Sequence, residues 1–353
     1  MKTKHYLRTA IAGLCVIIAS PSAAEIPWRM SVKLVLGPGF QQIPNYGYYS
    51  PDPFVGVSNN VQWINVQLAD KGSPYQIDLI EVMAISGIEE FFDKAVDSAS
   101  RDELQAHAIA YPNLYGWRED AINVYILGTM SGTFVGYCST ASTNHAILLR
   151  ADSSARTFFH ELGHFFDLLH TQQGSNYDAA DGCEPPYVAG TNDLCDDTLA
   201  DHPCFDRDDI AETNYLGMAY DDLPSNHQQL VDNTWFNLMS YHKKGTVITS
   251  DQWERVEVAS DEWRNYVVGQ RHWFVDLGNT CNAPNGSRRC AYNDIILFGI
   301  LQTGGGPFPS VGEGLDVAGS GDLIRIRSGT YHETLTLSQS VTLRAEDGQV
   351  IIR

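Results

Sequence analysis

The chain has 353 residues, 43% of them hydrophobic, which is enough to bury one large core or two moderate ones and excludes general disorder. Its 43 acidic residues against 23 basic ones give a formal net charge of −20, which argues against nucleic acid or an anionic membrane as a partner. Beyond the first 24 residues no segment approaches the roughly 20 apolar residues of a membrane helix, so no membrane insertion is expected.

Residues 1–24 have the layout of a secretory leader: basic Lys2, Lys4 and Arg8, an apolar stretch from Ala10 to Ala19, and the small-residue exit Ser22-Ala23-Ala24. The mature chain is expected to start near Glu25 and to be secreted, periplasmic or extracellular. In such a compartment Cys138, Cys183, Cys195, Cys204, Cys281 and Cys290 read as disulfides, with Cys281 and Cys290 the expected local pair.

Alternating apolar and polar residues predict strands over Ser31 to Leu36 and Val61 to Leu68, with loop between them. Leu104, Ala108 and Tyr111 recur at helical spacing and predict a helix over Ser100 to Tyr111. Ile122 to Leu127 and Ala146 to Leu149 read as strands, and Ser153 to Leu169 as a helix with Phe158, Phe159, Leu162, Phe165 and Phe166 available for burial. Between Asp178 and Asp222 thirteen acidic residues stand against Arg207 alone, which reads as a long irregular loop stapled by cysteines. Thr249 and Gln252 form a capping box for a last helix running through Val256 towards Arg264. The first domain is expected to span 25–270, with 25–100 either part of it or a removable pro-region. In 271–353 four short β-rich runs, Asp322 to Arg327, Thr334 to Leu337, Val341 to Arg344 and Val350 to Arg353, suggest the opening rungs of a right-handed parallel β-helix. A small sandwich or hairpin pair is the plainer alternative. A solenoid this short needs support from the first domain, a partner or a second copy.

The chemistry concentrates in His160-Glu161-Leu162-Gly163-His164, followed by His170. Residues four apart share a helix face, so His160 and His164 can present imidazole nitrogens to one tetrahedral ion, with His170 as a third ligand. Glu161, beside the first ligand, is placed to take a proton from an activated water and return it to a leaving amine. A lone HExxH arises by chance in roughly 2% of chains this long, and the third histidine lowers that by a further factor of about 30. An exposed polar helix face would not be surrounded by four phenylalanines, and a buried glutamate beside two buried histidines is costly without a metal.

With Asn237-Leu238-Met239-Ser240-Tyr241-His242 downstream, the chain resembles the metzincin metallopeptidases and, among them, the pappalysin-like group. The resemblance covers about Ala121 to Val258. It implies an α+β catalytic domain with a mixed twisted sheet and an active-site helix. It further implies Zn2+ on His160, His164 and His170, Glu161 as general base and acid, Met239 as the hydrophobic floor, and Tyr241 as a ligand or oxyanion stabiliser. The implied activity is endopeptidase cleavage of a protein or peptide substrate. Family members often bind calcium after the zinc helix, and the acidic loop independently offers hard oxygen ligands, with Asp193, Asp196 and Asp201 as candidates. The competing reading of that loop is a solvated acidic segment held by disulfides. One departure is Asp167, where the family has the glycine that ends the helix. It supports the alternative of a catalytically degenerate adhesion or polysaccharide-binding protein on a peptidase scaffold.

Overall fold

The computed structural model describes residues 26–41, 52–128, 134–139, 145–176, 183, 186–242, 245–270, 272–278, 307–345 and 348–353. The expected leader and the Cys281–Cys290 pair lie outside the described residues. The chain divides into two compact units, Glu25–Arg271 and a second that begins at His272. The architecture is mixed α/β, with eight α-helices among the described residues.

In the larger unit, β1 (Ile26–Val35), β2 (Tyr75–Ile85), β3 (Ile122–Leu127), β4 (Gly136–Tyr137) and β5 (Ala146–Arg150) form one sheet in the order β2-β1-β3-β5-β4. All neighbours are parallel except β4, which runs antiparallel to β5 at the edge. β1 and β3 are buried along nearly their whole length, the burial expected of parallel strands covered on both faces. A parallel pair needs a crossover, and α1 (Pro53–Asp70) supplies it between β1 and β2.

That helix replaces the strand expected over Val61 to Leu68. Asp52 caps it by accepting from Phe54 N–H, Pro53 opens it, and Val57, Val61, Ile64 and Leu68 are buried along one stripe. Over eight residues that stripe coincides with an alternating pattern, so the period alone misleads. α2 (Ser98–Ala110) and α3 (Pro112–Tyr115) follow β2, with Asp97 as the cap of α2. Tyr125 on β3 donates its hydroxyl to Tyr115 O.

A buried polar cluster interrupts the sheet. Lys33 is fully buried on β1, where its Nζ donates to Asn123 Oδ1 at 2.6 Å and Ser31 O at 3.3 Å, while Ser31 Oγ donates to Glu81 at 2.6 Å. Burial lowers the Lys33 ammonium to about 7, with Glu81 opposing and Arg118 adding to the shift.

α4 (Ala155–Phe165) packs against α1 and the sheet; Phe166, just beyond it, stacks on Trp28 with ring centroids 4.1 Å apart. The acidic stretch after it is not wholly irregular. Asp206 and Asp209 form a reciprocal capping box for α5 (Arg207–Asn214), and α6 (Ser225–Trp235) packs on it around Ile210, Leu223 and Val231. Acidic residues that look like loop in composition are here cap and first-turn residues, where negative charge suits the helix dipole. α7 (Ser250–Val258) starts from the expected Thr249/Gln252 capping box and continues into a wider turn over Ala259–Trp263.

Cys183 and Cys204 form a disulfide. Cys138 and Cys195 are free and buried, contrary to the expectation that the exported cysteines all pair. Each lies against a backbone carbonyl, Ser139 O and Asp193 O respectively, in a part of the core that holds no second cysteine among the described residues.

The second unit contains β6 (His272–Val275), α8 (Val311–Val317), β7 (Leu323–Ile326), β8 (Gly329–Tyr331), β9 (Thr342–Ala345) and β10 (Val350–Ile352). β6, β7 and β9 pair in that order and β8 pairs with β10; every one of these pairings is parallel, which a hairpin cannot give. In β8, Tyr331 inserts into the core and donates its hydroxyl to Arg327 O. Thr334 to Leu337, expected as a strand, is irregular, with Leu337 exposed.

Candidate metal centre

α4 begins where Ser154 Oγ accepts from Thr157 N–H, and its next two turns carry the motif. His160 and His164 lie one above the other, and Gly163 between them faces the Met239 thioether: a Cβ there would stand 2.6 Å from the sulfur. The helix then stops in a full Schellman arrangement, with Leu168 N–H donating to Gly163 O and Asp167 N–H to His164 O. Asp167 occupies the position glycine usually fills, at φ 67°. Arg255 on α7 holds it there, donating to Asp167 O at 3.0 Å and to its Oδ2 at 2.9 Å. Burial raises the Asp167 carboxyl and Arg255 opposes that shift.

The sharp stop lets the chain turn back and bring His170 to the other two histidines. His170 Nε2 lies 3.1 Å from His160 Nε2 and 2.9 Å from His164 Nε2. The outer nitrogens of the helix pair are committed, since His160 Nδ1 donates to Leu238 O at 2.8 Å and His164 Nδ1 to Leu168 O at 2.7 Å. Both Nε2 atoms of the pair therefore carry lone pairs, and His170 Nε2 can donate to only one of them at a time. Lone pairs converging in this way are stable around a cation, and a tetrahedral ion with bonds of about 2.0–2.1 Å would place its nitrogen ligands about 3.3–3.4 Å apart. Burial lowers His160 to about 3 and His164 to about 4, and drives His170 well below its usual value, with their mutual proximity adding to the shift in His160 and His170. Neutral imidazoles are the form that ligates. The three rings fit a zinc ion, and they are the one group of three or more metal-ligating side chains of this kind among the described residues.

Glu161, the residue after His160 on α4, is buried under the edge strand β4. A Cβ on Gly136 would stand 2.7 Å from Glu161 Cγ, so glycine is required there, and the carboxylate accepts from Cys138 N–H. Desolvation raises Glu161 to about 8. A cation on the neighbouring histidines would pull that value down again.

Met239 is fully buried below the histidines in a turn held by many polar contacts. Asn237 Oδ1 accepts from Met239 N–H, and Asn237 exchanges hydrogen bonds with Gln252 of α7. Arg156, in the first turn of α4, donates to the carbonyls of Gly245 and Ser240 at 2.8 and 3.1 Å and reaches those of Asn237, Leu238 and His242 at 3.3–3.4 Å. Nothing local in the sequence marks Arg156, because its partners are backbone atoms more than 80 residues away. Tyr241 is half-exposed, its ring centroid 4.8 Å from that of His170 and 6.3 Å from that of His160.

The calcium candidates are not gathered at one point. Asp193 accepts from Thr198 Oγ1, Gln252 Nε2 and Cys195 N–H, Asp201 from Thr171 Oγ1, His242 Nε2 and His202 N–H, and Asp196 is exposed. The first two carboxylates are structural acceptors.

No family model matches this chain, and a search of the curated proteins finds no match for it.

Proposed function

We propose that this chain is a secreted zinc-dependent endopeptidase of metzincin type, closest in pattern to the pappalysin-like group. The observation that carries the reading is the convergence of His160, His164 and His170 through their Nε2 atoms, with buried Glu161 following His160 on the same helix. Bound zinc supplies Lewis acidity, which polarises a carbonyl and acidifies a water. Glu161 takes the proton of the attacking water and passes it to the departing amine; Cys138 N–H and a cation on the histidines both favour the ionised carboxylate that accepts it. Met239 forms the floor that keeps the ligands in place, and Tyr241, half-exposed at the rim, is placed to donate to the developing oxyanion.

The degenerate-scaffold alternative leaned on Asp167, and the Arg255 contact accounts for how aspartate serves in that turn. For the second unit we read the parallel β6-β7-β9 and β8-β10 pairings as rungs of a right-handed β-helix, a surface suited to a partner or to self-association. The leader-like segment and the Cys183–Cys204 disulfide support export.

The test pairs metal analysis with digestion of casein or gelatin by the purified chain. One zinc per chain, with cleavage abolished by a chelator and by Glu161→Gln, is the expected result. A chain without zinc, or one that cleaves equally well as Glu161→Gln, overturns the proposal.

A further inference from the structure

The three histidines are not held alike. His160 and His164 each have an Nδ1–H fixed on a carbonyl, whereas no hydrogen bond to His170 Nδ1 is found among the described residues. Unsupported ligands swing, and the partners behind a ligand are what set its ring orientation and affinity. The position of His170 therefore depends on the chain around it. Gln173 N–H donates to His170 O at 3.0 Å, and Thr171 N–H to Met239 O at 3.4 Å. The side chain of Thr171, fully buried, donates from Oγ1 to Asp201 Oδ2 at 2.8 Å.

Asp201 is itself completely buried, and its other oxygen serves the opposite wall of the site. Oδ1 accepts from His242 Nε2 at 3.0 Å and from His202 N–H at 2.8 Å. His242 follows Tyr241 in the chain and is stacked on Trp235, with ring centroids 4.2 Å apart. The segment carrying Asp201 is pinned in turn, because Gly190 N–H donates to Asp201 O and Thr191 N–H to Gln173 O. Gly190 is obligatory there, since a Cβ would lie 2.3 Å from Gln173 O.

We propose that Asp201 is a positioning residue of the metal centre, one carboxylate that fixes the third histidine and the rim tyrosine together through Thr171 and His242. A buried carboxylate satisfied by three donors is stable, and removing it takes the acceptor from His242 Nε2 and His202 N–H and leaves Thr171 Oγ1 with only Gln172 Oε1, at 3.2 Å. Both walls then relax at once, His170 on one side and Tyr241 on the other. The inference rests on the zinc reading of the site and adds to it a residue that touches neither metal nor substrate.

The experiment measures zinc affinity of the full chain by competition with a chromophoric chelator, and the visible absorption of the cobalt-substituted protein, for Asp201→Ala, Thr171→Val and Asp201→Asn. Asp201→Ala and Thr171→Val are expected to weaken zinc binding by about tenfold and to change the cobalt spectrum. Asp201→Asn should restore most of both, because its amide oxygen can accept from His202 and His242 while its NH2 donates to Thr171 Oγ1. Near-ultraviolet circular dichroism of the metal-free chains establishes that each variant is folded; if Asp201→Ala is not, Thr171→Val decides. Folded Asp201→Ala or Thr171→Val with wild-type affinity and an unchanged cobalt spectrum overturns the proposal. A wild-type chain that holds no zinc is a different result, which removes the reading of the site and this inference with it.

Discussion

Replacing Asp167 by glycine trades effects of similar size. A left-handed backbone costs a non-glycine residue about 1 kcal/mol, which glycine recovers in the folded state and partly returns through the freer unfolded chain. The lost side-chain contact with Arg255, whose partners are 22% and 26% exposed, is worth at most about 1 kcal/mol. Asp167→Gly alone should therefore change stability by less than about 1 kcal/mol. Arg255 is the informative partner. With Asp167 present, Arg255→Met removes both the side-chain contact and the bond to Asp167 O, a loss of about 2 kcal/mol. In the glycine background only the backbone bond is lost, about 1 kcal/mol. The double-mutant cycle should return a coupling of about 1 kcal/mol. Urea unfolding of the metal-free full chain, followed by tryptophan fluorescence, reads it; Trp28 stacked on Phe166 lies one residue from the turn. Equal cost of Arg255→Met in both backgrounds would refute the claim that Arg255 is what makes aspartate acceptable there.

Lys33 should leave a mark on pH dependence. Its folded-state value, about 7, lies below the usual 10.5, so between those limits the unfolded chain binds more protons. Stability should rise with pH across that window, and the full penalty is present below pH 7. Lys33→Met should flatten this slope and raise the urea midpoint at pH 6.5, a gain on the order of a few kcal/mol; an unchanged slope would count against the buried ammonium. Gly163→Ala should cost about 1–3 kcal/mol, because the added methyl meets the Met239 sulfur, and thermal melting of the metal-free chain measures it. The Cys138 and Cys195 thiols are both pushed up by burial, Cys195 to about 12, so iodoacetamide should leave both unlabelled in the native chain and label them in urea, as peptide mapping by mass would show.

The histidine motif was legible because a fixed offset along one helix, plus a third histidine, is information carried locally in the chain. So were β3, β5 and the capping box of α7, where apolar runs and a Thr-x-x-Gln pair speak for themselves. α1 looks like a strand in sequence because eight residues of a helical stripe can mimic one, and the signal that settles it, Asp52-Pro53, lies outside that window. β2 escaped notice because, as an edge strand, it is only half-buried and mixes Asp and Glu with its apolar residues. The contacts that tune the site, Arg255 on Asp167, Arg156 on the turn below the histidines and Asp201 on Thr171, join residues 30 to 90 positions apart, and no local pattern encodes them.

Arg156 grips its turn entirely through carbonyl oxygens, and a carbonyl is the same on every residue. The side chains of that turn are thus free to drift over evolutionary time so far as Arg156 is concerned, while the number of residues is not. A deletion between Ser240 and Gly245 would pull one acceptor out of reach of the guanidinium, whereas a substitution at an outward-facing position would go unnoticed by it. Variation among natural versions of this loop should accordingly leave its length alone and fall on positions other than Tyr241 and His242, which the site holds for its own reasons.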